Sequence, residues 1–333
     1  MSVLTPTLNE EAHILETVRC LQSQRLDQDV EFLFMDGRSE DATRSMLQRL
    51  AADDPRIRIV DNPERGIPFA LNIGLENARG EFVARMDAHT TYPPDYLARG
   101  VERLRRGDVA WVSGPQLPRG TGKWSRRIAL ALGTRLGIGG AAFRNARHEL
   151  EVDAGYTGVW RRETLLRHGG WDQEWPINED GELAARIREA GGRIVCIPEM
   201  AALYVPRDSL RTLARQYWRY GNYRAKTCRA HPESMRRSHL LPPALATAVP
   251  LALMGRSRVA RVGVAAYAAA LLATTVSRLG AGIRDACSLP AILATMHLSW
   301  GFGFLVGAGR FGPPLRAMLL LARKRSRKPS GAA

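Results

Sequence analysis

Cysteine is scarce in this chain, and the positions of the four cysteines indicate neither a metal site nor a disulfide framework. Cys20, Cys196, Cys228 and Cys287 are scattered, and no two of them have the CxxC spacing of zinc or redox motifs. This usage is typical of a protein in a reducing cytosol. The first residues, MSVLTPTLNEE, also lack the basic flank and the apolar run of a signal peptide. We therefore expect the chain to begin directly on a core strand.

Acidic residues are outnumbered by basic ones, which limits the classes of partner. The 333 residues include 48 Lys and Arg against 33 Asp and Glu, and the formal net charge is +15. A balance this basic fits nucleic acid, an anionic membrane or phosphorylated substrates. No helix-turn-helix, zinc or RNA-binding signature is present. The sequence therefore predicts no nucleic-acid partner and favours phosphates or membrane lipids.

The amino-terminal part alternates short apolar runs with helical patterns, which predicts an α/β fold. Up to about residue 121, we expect strands at Ser2–Leu4, Val30–Met35, Ile57–Val60, Glu81–Met86 and Val109–Val112. Helical periodicity fills the segments between them, and buried-type strands in this order favour a mostly parallel, doubly wound, Rossmann-like sheet. Ligands of such sheets bind outside the carboxyl ends of the strands. Pro6, Thr7, Asp36 and Asp87 each lie at or follow such an end, so we expect them to converge on one crevice.

The stretch GEFVARMDAHTT, residues 80–91, carries the candidate metal ligands. Asp87 and His89 follow an apolar strand two residues apart, and residues i and i+2 of an extended segment point to the same side. Hard cations such as Mg²⁺ and Mn²⁺ prefer oxygen ligands, and a protein carboxylate often binds them together with substrate phosphates. Mn²⁺ also accepts imidazole as a ligand. The alternative is that Asp87 caps a turn and that His89 is an ordinary loop histidine.

The composition changes near residue 239, where long apolar stretches begin. The segments 239–254, 262–277 and 286–309 are uncharged or nearly so, and the last is long enough to cross a bilayer, which takes about 20 residues. The basic tail Arg323–Lys328 should remain cytoplasmic. We therefore predict a catalytic domain at 1–235, membrane-associated helices at 239–322 and a disordered basic tail at 323–333. An even number of crossings places both ends in the cytoplasm, although three crossings fit the hydropathy about as well.

Five motifs in order resemble those of the family 2 glycosyltransferases, which have the GT-A nucleotide-diphospho-sugar transferase fold. They are VLTPTLNEE, FLFMDGRSEDAT, GEFVARMDAHT, TGVWRRETLLRHGGWD and NEDGEL, and the resemblance covers roughly residues 2–230. The DAH turn and the segment QYWRYGNYRAKTCRAHP are most similar to bacterial exopolysaccharide glycosyltransferases of the succinoglycan type. The resemblance implies a nucleotide-sugar donor and a divalent cation, held by Asp87 and His89. Family members usually have a carboxylate where this chain has His89.

The resemblance also implies which residues contact the nucleotide. They come from the first loop and from the end of the second strand: Pro6, Thr7, Asn9, Glu10, Asp36 and Asp87. A carboxylate at position 36 can accept a hydrogen bond from a uracil N–H or a ribose hydroxyl. The alternatives are that Asp36 is a turn residue and that Glu10 is only the first-turn acid of a helix.

Inverting sugar transfer needs a general base for the acceptor hydroxyl. The pair Glu179 and Asp180 matches the acidic motif of the family, and we name Asp180 as the base. Its place in the first turn of a helix predicts that the helix dipole keeps it ionised. The alternative is a simple helix start capped by Asn178. Trp160 and Trp171 are candidate platforms for the acceptor sugar, with core packing as the alternative.

A basic helix near residue 218 carries a variant of a known motif. Gln216, Arg219 and Tyr220 resemble the QxxRW motif of processive synthases, with Tyr220 in place of Trp. Arg219 would contact the donor diphosphate, because guanidinium pairs bidentately with phosphate. The missing Trp predicts transfer of a single sugar. The same helix could instead be a basic amphipathic surface that lies on anionic lipid.

Taken together, these features predict an inverting, metal-dependent glycosyltransferase at the cytoplasmic face of the inner membrane. It would move one sugar from a nucleotide sugar, such as a UDP-hexose, to a polyprenyl-diphosphate-linked glycan in exopolysaccharide synthesis. One alternative is transfer to polyprenyl phosphate itself. A second is a non-catalytic basic protein that binds membrane or nucleic acid.

Overall fold

A computed structural model describes residues 1–139, 144 and 146–326. The chain forms two compact units. The first unit consists of Met1–Leu117 and Ala142–Tyr204, and the second unit consists of Pro118–Ala141 and Val205–Ala333. This division differs from the predicted boundary near residue 235, because the segments 118–141 and 205–235 belong to the second unit. Residues 327–333 of the predicted tail lie outside the described residues.

Eleven strands form two sheets in the described part of the chain. In chain order they are β1 Ser2–Thr7, β2 Glu31–Asp36, β3 Ile57–Asp61, β4 Phe82–Arg85, β5 Thr90–Thr91, β6 Trp111–Ser113, β7 Gln116–Pro118, β8 Leu150–Glu151, β9 Gly158–Arg161, β10 Ile194–Cys196 and β11 Ala202–Tyr204. The large sheet has the order β3-β2-β1-β4-β9-β6-β10-β8, and the small one has the order β5-β11-β7. Each strand that we predicted before residue 113 is present.

The large sheet is mostly parallel on the side that holds the amino terminus. Strands β1, β2, β3 and β4 pair in parallel, as do β6 and β10. Strand β9 is inserted between β4 and β6 and runs antiparallel to both. Local sequence patterns did not indicate this insertion, because the pairing partners of β9 are distant in the chain. The result is a mixed sheet with a parallel half at which the predicted nucleotide residues lie.

The helices described are, in chain order, α1 Ile14–Gln22, α2 Thr43–Asp53, α3 Ile67–Asn77, α4 Tyr96–Arg105, α5 Lys123–Leu132, α6 Arg135–Ile138, α7 Arg162–Arg167, α8 Glu179–Glu189, α9 Leu210–Ala230, α10 Leu241–Leu253, α11 Arg258–Val276, α12 Ile283–Ala286, α13 Leu289–Phe311 and α14 Leu315–Ser326. Apolar side chains form a separate buried cluster on each face of the large sheet. Val3 of β1 belongs to one cluster and Leu4 to the other, because successive strand residues point to opposite faces. The first unit is therefore a sheet covered by helices on both sides.

The second unit contains the apolar segments of the sequence. The proline-containing segment near residue 250 forms the helix α10, with prolines in the first turn, where a missing N–H costs little, and Pro250 inside. By length and composition, the stretches Arg258–Val276 and Ile283–Phe311 could each cross a membrane. Helix α14 extends to Ser326, so the first residues of the predicted tail are helical.

Candidate active site

The first loop and the end of the second strand meet at one edge of the large sheet. Thr7 is paired with Asp36 in the parallel register of β1 and β2, and the Gly37 N–H donates to the Thr7 carbonyl oxygen at 2.8 Å. The Asn9 side-chain oxygen accepts from the Glu40 N–H at 2.8 Å. Pro6 lies in the same register opposite Met35. The structure therefore brings these predicted nucleotide contacts together because the carboxyl ends of parallel strands share an edge.

Asp36 is fully buried, and protein groups occupy both of its oxygens. Its Oδ1 accepts from the Ser39 hydroxyl at 2.6 Å, and its Oδ2 accepts from Arg44 Nη1 at 2.9 Å. The same Arg44 nitrogen donates to Asp61 Oδ1 at 2.9 Å. Asp36 therefore braces the loop that follows β2. Because this carboxylate is fully buried, a base or a ribose could reach it only if the side chains around it moved.

Arg85, the last residue of β4, joins the acidic groups that the sequence placed in two different motifs. Its Nε donates to Asp87 Oδ1 at 2.7 Å, and its Nη1 donates to Glu179 Oε1 and to Asp180 Oδ1, both at 2.9 Å. All four side chains are almost completely buried. Asp180 and Asp87 therefore both accept hydrogen bonds from the guanidinium of Arg85, although 93 positions separate the two aspartates in the chain. This cluster of Arg85, Asp87, Glu179 and Asp180 is called the Arg85 cluster below.

The charges of the Arg85 cluster do not balance. One guanidinium faces three buried carboxyl groups, so full ionisation leaves an excess of two negative charges. Burial raises the pKa of Asp180 to about 7, and the charges of Glu179 and Asp87 add to this rise, although Arg85 opposes it. Burial beside two other carboxyl groups therefore opposes the helix dipole that was predicted to keep Asp180 ionised, and the net shift of its pKa is upward. A pKa near 7 suits a general base.

Asp87 is ionised and is held in place from three sides. Burial alone would raise its pKa, but the charge and hydrogen bonds of Arg85 and the hydroxyl of Tyr156 outweigh burial, and the net shift is downward. The Tyr156 hydroxyl donates to Asp87 Oδ2 at 2.5 Å, and the Asp87 N–H donates to the Tyr92 hydroxyl oxygen at 2.8 Å. The loop after β4 therefore presents a rigid carboxylate.

His89 lies on the exposed side of the same loop. Its Nδ1 is 3.1 Å from Glu10 Oε1, and its side chain is half-exposed. Among the described residues, no three His, Cys, Asp or Glu side chains are grouped closely enough to hold a metal ion by themselves. Arg85 and Tyr156 also contact both oxygens of Asp87, so a cation held by Asp87 and His89 stays a prediction. The excess negative charge of the Arg85 cluster favours a cation.

Trp160 and Trp171 do not offer a surface to a sugar. Trp160 is fully buried in the core between Trp111, at 4.7 Å between ring centroids, and Trp171, at 5.8 Å. Trp171 is 1% exposed. The prediction that these rings bind the acceptor is therefore corrected to core packing, because neighbouring side chains cover their faces.

Gln216 and Arg219 lie on α9 in the second unit. The Gln216 amide donates to the Tyr220 hydroxyl at 2.9 Å, and the Arg219 side chain is exposed. Both residues belong to the second unit, and their contacts described here lie within that unit. Their predicted contact with the donor diphosphate stays a prediction.

Comparisons with known proteins decide the family. The model of glycosyl transferase family 2 matches residues 2–169, about half of the chain. The chain belongs to glycosyltransferase family 2. The succinoglycan biosynthesis protein ExoA of Rhizobium meliloti (strain 1021) is 34% identical to it over 310 residues, which cover 91% of this chain and 93% of that protein. The predicted succinoglycan-type resemblance is confirmed, and the alternative of a purely binding protein is wrong.

One further relative supports the enzyme class of this glycosyltransferase, and one solved structure supports its fold. The dolichyl N-acetyl-α-D-glucosaminyl phosphate 3-β-D-2,3-diacetamido-2,3-dideoxy-β-D-glucuronosyltransferase of Methanococcus voltae is 25% identical over 234 residues, covering 66% of this chain and 71% of that protein. The structure of the mannosyltransferase PcManGT from Pyrobaculum calidifontis, in complex with GDP-Man and Mn²⁺, covers 91% of this chain and 86% of its own, with a TM-score of 0.63 and 24% identity. The predicted GT-A fold is therefore confirmed.

Sequence reasoning missed Arg85 and Tyr156 in this glycosyltransferase. The signal for Arg85 was present, because a charged residue in the otherwise apolar run FVARM needs a buried partner. The i, i+2 rule that paired Asp87 with His89 applies equally to Arg85 and Asp87, and the structure shows the latter pair in contact. No local pattern indicated Tyr156, since it follows Asp87 by 69 residues.

Proposed function

We propose that this glycosyltransferase moves one sugar, with inversion, from a UDP-sugar to a polyprenyl-diphosphate-linked glycan at the cytoplasmic face of the inner membrane. The observation that carries this proposal is the Arg85 cluster. In this cluster the buried guanidinium of Arg85 binds both Asp87, the candidate carboxylate on the donor side, and Asp180, the candidate base. A donor and an acceptor that react directly require such proximity of their two binding groups.

On the donor side, Asp87 and His89 would hold a divalent cation, with Mg²⁺ and Mn²⁺ as the candidates. Such a cation, when bound, neutralises the diphosphate leaving group as a Lewis acid. The loop residues Thr7, Asn9 and Glu10 would contact the nucleotide. Their support is their position at the shared carboxyl edge of β1 and β2.

On the acceptor side, Asp180 would accept the proton of the attacking hydroxyl. The hydroxyl oxygen then forms a bond to the anomeric carbon while the bond from that carbon to the nucleotide diphosphate breaks. Because the pKa of Asp180 is about 7, a substantial fraction of the carboxyl is ionised at neutral pH and can take up this proton. Arg85 and Glu179 would hold Asp180 in position without contacting the proton.

The acceptor class is inferred from relatives. The name of ExoA describes succinoglycan biosynthesis, and the Methanococcus protein is named for a dolichyl-linked sugar phosphate acceptor. The apolar helices of the second unit are consistent with a lipid-linked substrate. Tyr220, at the position where processive synthases have Trp, supports transfer of a single sugar.

The test uses the purified full-length chain. It should release UDP from a UDP-sugar only with a divalent cation, and Asp180→Asn should abolish transfer while nucleotide binding, measured by calorimetry, is retained. Asp172→Asn is the control, since that half-buried carboxylate accepts a hydrogen bond within its own turn, from the Glu174 N–H. Retained transfer by Asp180→Asn would remove Asp180 as the base. Preference for polyprenyl phosphate over sugar-diphosphate polyprenol would establish the alternative acceptor.

A further inference from the structure

The two units carry opposite net charges. The segments 118–141 and 205–333 contain 26 of the 48 Lys and Arg residues but only 3 of the 33 Asp and Glu residues. The second unit therefore has a formal charge of +23, and the first unit has a formal charge of −8. The basic character of the chain lies entirely in the unit that also contains the apolar helices. Such a combination matches the anionic surface of a bilayer.

Exposed apolar side chains are concentrated in the same unit. Of the 25 large apolar side chains exposed in the described part of the chain, 20 lie in the second unit. They are most exposed on α10, α11, α12 and α14, for example Leu253 at 84% and Val259 at 83%. An apolar surface of this extent on a soluble protein would be a liability, so a partner must cover it.

Helix α13, the longer candidate span, is inseparable from the basic helix α9. A Cβ atom at Gly303 would lie 2.2 Å from the Trp218 carbonyl oxygen, and one at Gly307 would lie 2.3 Å from that of Asn222. Gly303 of α13 lies beside Trp218 of α9, and Gly307 lies beside Asn222. The two helices therefore run parallel, with their backbones in close contact. Gly303 and Gly307 have the spacing of the GxxxG helix-packing motif. Any tilt or depth that α13 adopts must therefore be shared by α9.

Helix α9 is unsuited to the hydrocarbon core. It contains six basic residues, and those at positions 211, 215 and 219 are exposed along its first half. An arginine at the centre of a spanning helix costs about 2.5–3.5 kcal/mol even on insertion scales. Arg219 lies at the middle of the 21-residue helix, beside the exposed Trp218 and Tyr220. Aromatic and basic residues together are typical of the headgroup region.

A second basic helix is also tied to α13 and to the link before it. The Arg127 side chain of α5 donates to Asp285 Oδ1 at 2.8 Å, and His297 of α13 contacts the Leu136 carbonyl oxygen at 3.1 Å. Helix α5 begins with the sequence KWSRR. A transmembrane α13 would therefore need to take basic segments on two sides into the bilayer.

Helix α11 is too short to span between its flanking charges. The uncharged stretch between Arg261 and Arg278 has 16 residues, which make about 24 Å of helix. The hydrocarbon core is about 30 Å thick. With most of its side chains exposed, α11 suits contact with acyl chains near the interface.

We propose that the second unit is a monotopic membrane domain that lies on an anionic bilayer, and that none of its described helices crosses. Helices α9 and α13 lie together in the headgroup region, while the exposed apolar side chains of α10 and α11 reach the acyl chains. The link from α11 to α13 then remains on the same side of the membrane as the catalytic unit. This inference refines the membrane part of the proposed function, but its test does not depend on activity.

The native Cys287 thiol reports the position of that link, because it is exposed and lies between α12 and α13. We expect a membrane-impermeant maleimide to label it in inverted membrane vesicles but not in spheroplasts. Cys287→Ser is the control for specificity, and Glu163→Cys in the catalytic unit is the control for sidedness. Gly280→Cys provides a second thiol in the same link.

Labelling of either link thiol from outside the spheroplast would overturn the proposal, because it requires α11 to cross. Failure of both thiols to react from either side would also contradict it, since the link would then lie within the hydrocarbon.

Vesicle binding tests the nature of the surface. Purified full-length chain should bind phosphatidylcholine vesicles more tightly when they contain roughly 30 mol% phosphatidylglycerol. Arg258→Gln and Arg261→Gln should each weaken that binding about fivefold, with no change on neutral vesicles. Arg105→Gln in the catalytic unit is the matched control. Equal binding to both vesicle types, or self-association without vesicle binding, would contradict an anionic bilayer as the partner.

Discussion

Replacement of Arg85 by methionine tests whether this residue controls the ionisation of the proposed base. The guanidinium is the positive member of the Arg85 cluster and donates to Asp87, Glu179 and Asp180. Methionine keeps much of the side-chain volume but removes the charge and every donor. Three buried carboxyl groups would then face one another without a counter-charge. We expect both lower stability and a higher pKa of Asp180.

The magnitude follows from the geometry. Nη1 of Arg85 is 2.9 Å from Asp180 Oδ1, and the two charge centres are roughly 4 Å apart, which corresponds to about 4 kcal/mol at an effective dielectric constant of 20. At about 1.4 kcal/mol for each pKa unit, the rise is at most about 3 units. The ionisation of neighbouring buried carboxyl groups is coupled, which lowers this limit, so we expect a rise of about 1 to 3 units. Breaking a buried ion pair also costs about 3–5 kcal/mol of stability.

The assay is the single-turnover transfer rate as a function of pH. In the unmodified enzyme the rate should rise with pH through about 7, where Asp180 ionises. With a pKa shift of about 2 units, the rate of Arg85→Met at pH 7.5 should fall about 25-fold and recover as the pH rises. Arg85→Lys keeps the charge but not the planar fork, so it should destabilise the protein with a smaller shift of the pH profile.

Arg103→Met is the matched control. Arg103 is also a buried arginine that bridges two carboxylates, Asp108 and Glu149. Its loss should lower stability less than the loss of Arg85, because Asp108 and Glu149 are about half exposed, and it should leave the pH profile unchanged. A folded Arg85→Met enzyme with the original pH profile would refute the claim that Arg85 sets the pKa of Asp180.

Four further predictions follow from the structure. In the unmodified protein the unfolding free energy should fall as the pH rises from about 4 to 7, by at most about 1.4 kcal/mol per pH unit, because the folded state holds a proton on Asp180 that the unfolded chain releases. Asp180→Asn should remove this pH dependence, which denaturant unfolding at several pH values measures. Trp160→Ala should cost about 3–5 kcal/mol of stability as a core substitution, whereas an exposed sugar platform would cost little. His89→Asp should raise the ratio of activity with Mg²⁺ to activity with Mn²⁺, because a carboxylate replaces the imidazole; an unchanged ratio would count against His89 as a ligand. Gly303→Ala should lower the melting temperature by forcing α9 and α13 apart, whereas Gly309→Ala on the same helix, where a Cβ meets no described atom within 4 Å, should not.

The predicted nucleotide edge illustrates how local patterns lead to tertiary proximity. Apolar runs of strand length and the helices between them indicated parallel pairing, and parallel strands place their carboxyl ends at one edge. Thr7 and Asp36 are neighbours for this reason. The sequence could not show that Ser39 and Arg44 already occupy the Asp36 carboxylate, because several side-chain arrangements fit the same turn.

The tryptophans show the opposite case. A Trp near an acidic motif fits both a sugar platform and a core position, and the residue type does not distinguish them. The insertion of β9 between β4 and β6 decides the matter, because it places Trp160 beside Trp111 in the middle of the sheet. That insertion depends on pairing between strands more than 40 residues apart, which local periodicity does not encode.

By itself, the sequence determined the family, the order of strands and helices in the catalytic unit and the identity of the acidic motifs, because these depend on local periodicity and on short motifs. The tertiary structure alone decided that Arg85 joins those motifs and that Asp180 has a raised pKa. Both results depend on burial and on contacts across 94 and 95 positions of the chain. A charge has a strong effect on a distant residue only when folding removes the water between them.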